Sequence, residues 1–102
     1  MKPSEYIKKG WCQGTLARNK NLKPVLPKSS EAKRWCASGA IYASSGLDKY
    51  DYAKVMRQVI LVHYPRFKGC TSVIIAFNDY KYTYSHAVLK IMLEVEKILG
   101  LD

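Results

Sequence analysis

Two Trp-Cys dipeptides, Trp11-Cys12 and Trp35-Cys36, constrain the fold of this chain more than any other feature. Tryptophan carries the largest apolar surface of any side chain, and cysteine is among the residue types most often buried. Each dipeptide therefore belongs inside. A short segment and a helix that both present one are expected to pack against each other as a core. The chain, 102 residues long, reads as a single domain spanning 1–102. A domain of this size buries about two-thirds of the surface its unfolded form exposes, so a core can stand without disulfide staples. With 48% hydrophobic residues the chain is too apolar to stay disordered.

The cysteine count and the hydropathy pattern exclude several classes. Cys12, Cys36 and Cys70 are an odd set with no export-type leader ahead of them, which points to reduced thiols in a cytoplasmic setting. No CxxC or HxxxH spacing occurs, so neither a metal nor any other cofactor is expected. The longest apolar run, Val73 to Phe77, is far below the about 20 residues of a membrane-crossing helix, so no membrane partner is expected.

The remaining patterns predict a mainly α fold. It is a small helical domain of four to five helices with a short N-terminal β-hairpin or extended segment. Ser4 is expected to cap a short first helix that a left-handed Gly10 ends. Trp11 to Arg18 reads as extended, with turn chemistry at Asn19-Lys20-Asn21 and a return over Leu22 to Leu26. Pro24 lacks an amide donor and confines that return to an edge. A central helix is predicted from Ser29 or Ser30 to Ser44. Gly39 inside it costs about 1 kcal/mol relative to alanine, a loss that makes sense if another backbone passes close by.

A third helix starts at Asp48 or Asp51 and stops at Pro65. Tyr52, Val55, Met56, Val59, Ile60 and His63 mark its buried stripe, with His63 partly buried near the end. Within residues 71–79 the β-branched run Val-Ile-Ile favours a strand, but Thr71 is also a fair helix cap, and a short buried helix is the expected reading. A last helix, capped by Ser85 and ended by Gly100, buries Val88, Ile91, Met92, Val95, Ile98 and Leu99.

Four blocks occur in order: Gly-Trp-Cys-Gln-Gly at 10–14, Trp-Cys-Ala-Ser-Gly-Ala at 35–40, Phe-Asn-Asp at 77–79 and Ser-His-Ala-Val-Leu at 85–89. Together they resemble a small, functionally uncharacterised family found in phages and bacteria. The resemblance spans nearly the whole chain. It implies a helical domain with an N-terminal hairpin, organised by Trp11, Cys12, Gly14, Trp35, Cys36, Gly39, Asn78, Asp79 and His86. It implies no activity. The family's hairpin turn is more acidic and contains glycine, so the turn Arg18-Asn19-Lys20-Asn21 departs from its pattern.

Charge adds a direction. Net charge is +9, and residues 1–34 hold nine basic against two acidic side chains, a balance of +7. A one-sided positive field attracts polyanions or an acidic protein face, though lysines also simply keep a small protein soluble. Cys36, His86 and Asn78 are the residue types of Cys-His-Asn hydrolases. Cys36, however, falls two turns into its predicted helix, beyond the reach of the dipole, and the core reading outweighs a nucleophilic one. Asn78-Asp79 reads as turn and cap chemistry, with His86 in reach of Asp79.

Within Asp79-Tyr80-Lys81-Tyr82-Thr83-Tyr84, tyrosines at every second position share one face of an extended segment, and Tyr50 and Tyr52 can join them. Such rings either cover a core edge or form a binding surface, and beside cations they stack on nucleobases.

The sum is an expected stoichiometric, non-catalytic binding protein, phage-encoded, that occupies an acidic host protein or nucleoprotein. Inhibition of a host defence would fit that description. Its surface would be Arg18, Lys20, Lys23, Lys28, Tyr80, Lys81, Tyr82 and Tyr84. The alternatives are a cysteine-dependent hydrolase or transferase using Cys36 and His86, a nucleic-acid-binding accessory protein, and a structural subunit of a phage assembly. The oligomeric state is not legible in the sequence.

Overall fold

In the computed structural model, which describes residues 1–101, five α-helices surround a two-stranded antiparallel pair. The order is α1 (Pro3–Lys9), β1 (Ala17–Arg18), β2 (Arg34–Trp35), α2 (Ala37–Ala43), α3 (Lys49–His63), a 3-10 turn (Pro65–Phe67), α4 (Val73–Asp79) and α5 (Ser85–Ile98). The fold is mainly α, with its small antiparallel pair near the N-terminus.

Helical spacing explains the core. α3 buries Tyr52, Met56, Val59 and Ile60, and α5 buries Val88, Ile91, Met92 and Val95, so each presents a stripe at three- and four-residue intervals. These stripes face one another, α1 packs across α5, and α4 closes on α3. Phe67 and Phe77 fill the remaining corner with their rings edge to face, 5.9 Å apart.

The interior is not wholly apolar, and Glu96 is its one acidic side chain among the described residues. Glu96 is only 1% exposed. Its carboxylate accepts from the Ser4 amide (3.0 Å), the Ser4 hydroxyl and the Tyr52 hydroxyl (2.7 Å). That arrangement ties α1, α3 and α5 together at one charge. Ser4 is therefore no cap. Lys2 occupies the N-cap position, and its amide donates to Glu5 Oε1 at 2.7 Å.

The central helix starts later than its sequence suggests. Residues 29–36 do not enter it, and α2 begins at Ala37. Two local preferences lose to backbone pairing. Trp35 donates its amide to Gly10 O (3.0 Å) and accepts from the Cys12 amide (3.2 Å), which holds 34–35 extended. Its indole N–H reaches Pro27 O at 2.9 Å. The hairpin is likewise rearranged: β1 pairs with β2, through Ala17–Trp35 and Arg18–Arg34. The expected return survives only as an Arg18–Pro24 bridge, flanked by Asn19 N to Lys23 O (2.9 Å) and Val25 N to Ala17 O (3.0 Å).

Other ends shift by less. Gly10 is extended (φ 176°) rather than left-handed, and glycine is required there because a Cβ would lie 2.3 Å from Lys33 O. Residues 73–79 are helical, but the cap is Ser72, whose Oγ accepts from the Ile75 amide, rather than Thr71. Ser85 is the first helical residue of α5 rather than its cap. His63 is exposed and faces Glu94 at 3.2 Å, and Ile98 lies outside the buried stripe.

Candidate functional site

Three of the four motif blocks converge on one buried side chain. Asn78, 1% exposed at the end of α4, accepts through Oδ1 from the Trp11 indole (2.8 Å) and from the Ala37 amide (2.9 Å). Its Nδ2 donates to Cys12 O (3.2 Å) and Asp79 Oδ1 (2.9 Å). Asp79 Oδ1 also accepts from the Gly14 amide at 3.1 Å. Gln13 Nε2 reaches back to Asn78 O (2.9 Å) and Tyr80 O (3.0 Å). Every hydrogen-bonding atom of the Asn78 side chain is used, so this amide rivets the 10–14 segment, the start of α2 and the end of α4. Asn78 and Asp79 thus close a helix, where turn-and-cap chemistry ahead of one was expected.

Cys36 is the N-cap of α2, and its sulfur accepts from the Gly39 amide at 3.3 Å. This overturns the placement two turns inside a helix. The thiol is nevertheless not activated. Burial pushes the Cys36 pKa up, and the α2 amides only partly oppose it. Cys12 is pushed up to about 11, first by burial and then by its neighbour Cys36. Both sulfurs are neutral thiols at physiological pH, whereas a nucleophile must be a thiolate.

Gly39 confirms the close approach that its cost implied. A Cβ there would lie 2.0 Å from Leu16 O.

A cavity of about 210 Å³ lies beside this joint, lined by Gly14, Cys36, Ser38, Ile75, Asn78 and Asp79 among others. His86 does not line it. It is exposed on α5, its ring stacked on Tyr84 with centroids 6.1 Å apart, and the expected contact to Asp79 is not made. The fold therefore brings Cys36 and Asn78 together and leaves His86 elsewhere. Among the described residues, no three His, Cys, Asp or Glu side chains are grouped to hold a metal.

The other surfaces are cationic and aromatic. Arg18 is committed to the hairpin, donating to Leu22 O (2.9 Å) and Gln13 O (3.1 Å). Lys20, Lys23 and Lys28 are exposed, and Lys28 lies over the Tyr42 ring at 5.3 Å, as Lys49 does. Tyr80 is half-buried against Phe67 (5.6 Å), and the exposed Tyr82 meets it edge to face at 5.5 Å. Lys81 lies 4.9 Å over Tyr82. Tyr84 turns to His86, so the three tyrosines do not form a single continuous face. Tyr52 is wholly buried in the core and Tyr50 is exposed along another groove, beside Lys54 and Arg57.

Two residues of consequence were not singled out in the sequence. Glu96 interrupts an apolar series four residues after Met92, and that misplaced charge was its available signal. Arg66 lies over the rings of Tyr80 (5.3 Å), Phe67 (5.8 Å) and Tyr64 (5.9 Å). No periodicity announces it: Tyr64 and Phe67 are its neighbours in the chain, but Tyr80 comes from a separate stretch and meets it only in the fold. Among the described residues the one contact of a basic side chain with a carboxylate within 4.0 Å is His63–Glu94, so no lysine or arginine is paired with a carboxylate there.

No curated protein and no solved structure matches this chain. Residues 4–97, a span containing the whole Asn78 joint and both ends of the Ser4–Glu96 tie, match DUF6197, a family of unknown function, and the chain belongs to that family.

Proposed function

We propose that this protein is a small, non-catalytic binding protein that acts stoichiometrically on an anionic face of a host macromolecule, an acidic protein or a nucleoprotein. One observation carries the reading: exposed tyrosines paired with cations that no described carboxylate neutralises, at Tyr42 with Lys28 and Lys49 and at Tyr82 with Lys81. Tyrosine offers large amphipathic contact area at low entropic cost, and uncompensated cations steer an acidic partner to it. A phage-encoded inhibitor of a host defence system is a role of this kind. The neutral, buried thiol of Cys36 and the distance of His86 from its cavity weigh against a cysteine hydrolase.

The test is affinity capture from host lysate, with and without nuclease, using the wild type and a Lys20→Ala, Lys23→Ala, Lys81→Ala, Tyr82→Ala combination. A stoichiometric partner held by the wild type and lost with the combined variant is expected. A partner retained equally by both would refute the assignment of the surface. Substrate turnover abolished by Cys36→Ala would replace the reading with the enzymatic one.

A further inference from the structure

We infer that the cavity beside Arg66 receives one unpaired nucleobase of a single-stranded nucleic acid, with the adjoining phosphates on Arg66 and Lys81. The inference rests on the binding reading above and adds the chemistry of the ligand. The cavity measures about 170 Å³. Sites for free small molecules begin near roughly 300 Å³, so this one suits a single ring-sized group that projects from something larger.

Its walls favour a flat ring. Tyr64, Phe67, Phe77, Tyr80 and Tyr82 line it, and no carboxylate does. Arg66 lies over three of those rings at 5.3–5.9 Å. A guanidinium stacked in this way has its orientation settled in advance, and its N–H groups then match a phosphate with little further entropy loss.

The surface continues outward in the same chemistry. Lys81 lies between Tyr80 and Tyr82 in the chain and 4.9 Å over the Tyr82 ring, which is 64% exposed, so ring and cation adjoin at the rim of the cavity. That pairing is what a single strand offers in complement, since a stackable ring accompanies every phosphate. An acidic peptide supplies carboxylates but needs an aromatic residue at one fixed spacing to fill the cavity. In a duplex the bases are already stacked on each other and cannot enter.

Fluorescence anisotropy of a fluorescein-labelled oligothymidylate, titrated with the full chain, tests this. The single strand is expected to bind in preference to the same sequence as a duplex. Tyr82→Ala and Arg66→Ala should each weaken binding by about tenfold or more, the loss of one stacked base. Tyr82→Phe keeps the ring and should bind like the wild type, while Arg66→Lys keeps only the charge and should fall between. All these side chains are at the surface, and unchanged thermal melting will show that the variants are folded. Absent binding, equal binding of the duplex, or indifference to Tyr82→Ala and Arg66→Ala would overturn the inference. If the oligonucleotide fails while a lysate protein is still captured through Lys81 and Tyr82, the nucleobase falls and the broader binding reading stands.

Discussion

Replacing Asn78 by alanine removes two acceptor contacts and two donor contacts from the joint between the 10–14 segment, α2 and α4. Their costs are unequal. The Trp11 indole is half-exposed and the Asp79 carboxylate is at the surface, so both can turn to water. The Ala37 amide and the Cys12 carbonyl belong to buried residues and lose their partners outright. An unsatisfied buried group costs about 1–3 kcal/mol. The adjacent cavity of about 210 Å³ can admit a water and soften part of that loss. The expected destabilisation is therefore about 2–4 kcal/mol. A domain of this size shifts by about 4–8 °C per kcal/mol, which puts the fall in Tm at about 10–25 °C.

Urea denaturation followed by circular dichroism, with thermal melts alongside, measures it. Asn78→Asp separates the donor from the acceptor role. The new carboxylate still accepts from Trp11 and Ala37, but it confronts Cys12 O and Asp79 where an NH₂ stood. Burial and the Asp79 charge would raise its folded-state pKa above the unfolded value of about 3.9. Between those two values the native state binds more protons, so stability falls as pH rises and recovers as pH falls. Measured against wild type at each pH, the penalty should shrink in acid, where a protonated carboxyl again donates. An Asn78→Ala loss below about 0.5 kcal/mol, or an Asn78→Asp penalty that grows in acid, would refute the account of the joint.

Four further outcomes are expected. Gly39→Ala should destabilise strongly, because its Cβ would meet Leu16 O at 2.0 Å, whereas helix propensity alone predicts a gain of about 1 kcal/mol; chemical denaturation reads the sign directly. Tyr52→Phe should cost about 1–2 kcal/mol by the same assay, since Glu96 keeps its Ser4 partners, while Glu96→Ala, which strands donors from two helices, should cost more. In the native protein a thiol reagent should modify the exposed Cys70 rapidly and the buried Cys12 and Cys36 only at the rate of opening. Because the Cys12 pKa is raised to about 11 from 9.0, the unfolded chain loses its proton first, and stability should decline as pH rises from 9.0 through about 11.

Helix content and the main buried stripes were readable from the chain alone. α3 and α5 are long, and their apolar residues recur at three and four positions, a pattern that solvent exclusion turns into a buried face whatever else the protein does. The short elements were not readable in the same way. Residues 29–36 carry nothing that forbids a helix, yet Trp35 is held extended by Gly10 and Cys12 from a distant segment.

The same division applies to the two Trp-Cys pairs. Composition pointed all four residues inside, and Cys12, Trp35 and Cys36 are buried while Trp11 stays half-exposed. Only the tertiary structure decided that Trp11 would bond Asn78, that Cys36 would cap α2, and that His86 would stand apart from both. It also decided which cations matter, drawing Arg18 into the hairpin and laying Arg66 across the ring of the distant Tyr80 as well as those of its neighbours Tyr64 and Phe67. Burial follows from the character of a residue, which is local. A hydrogen bond or a stacked cation depends on which distant atom arrives within a few ångströms, and that is set by the packing of every element at once.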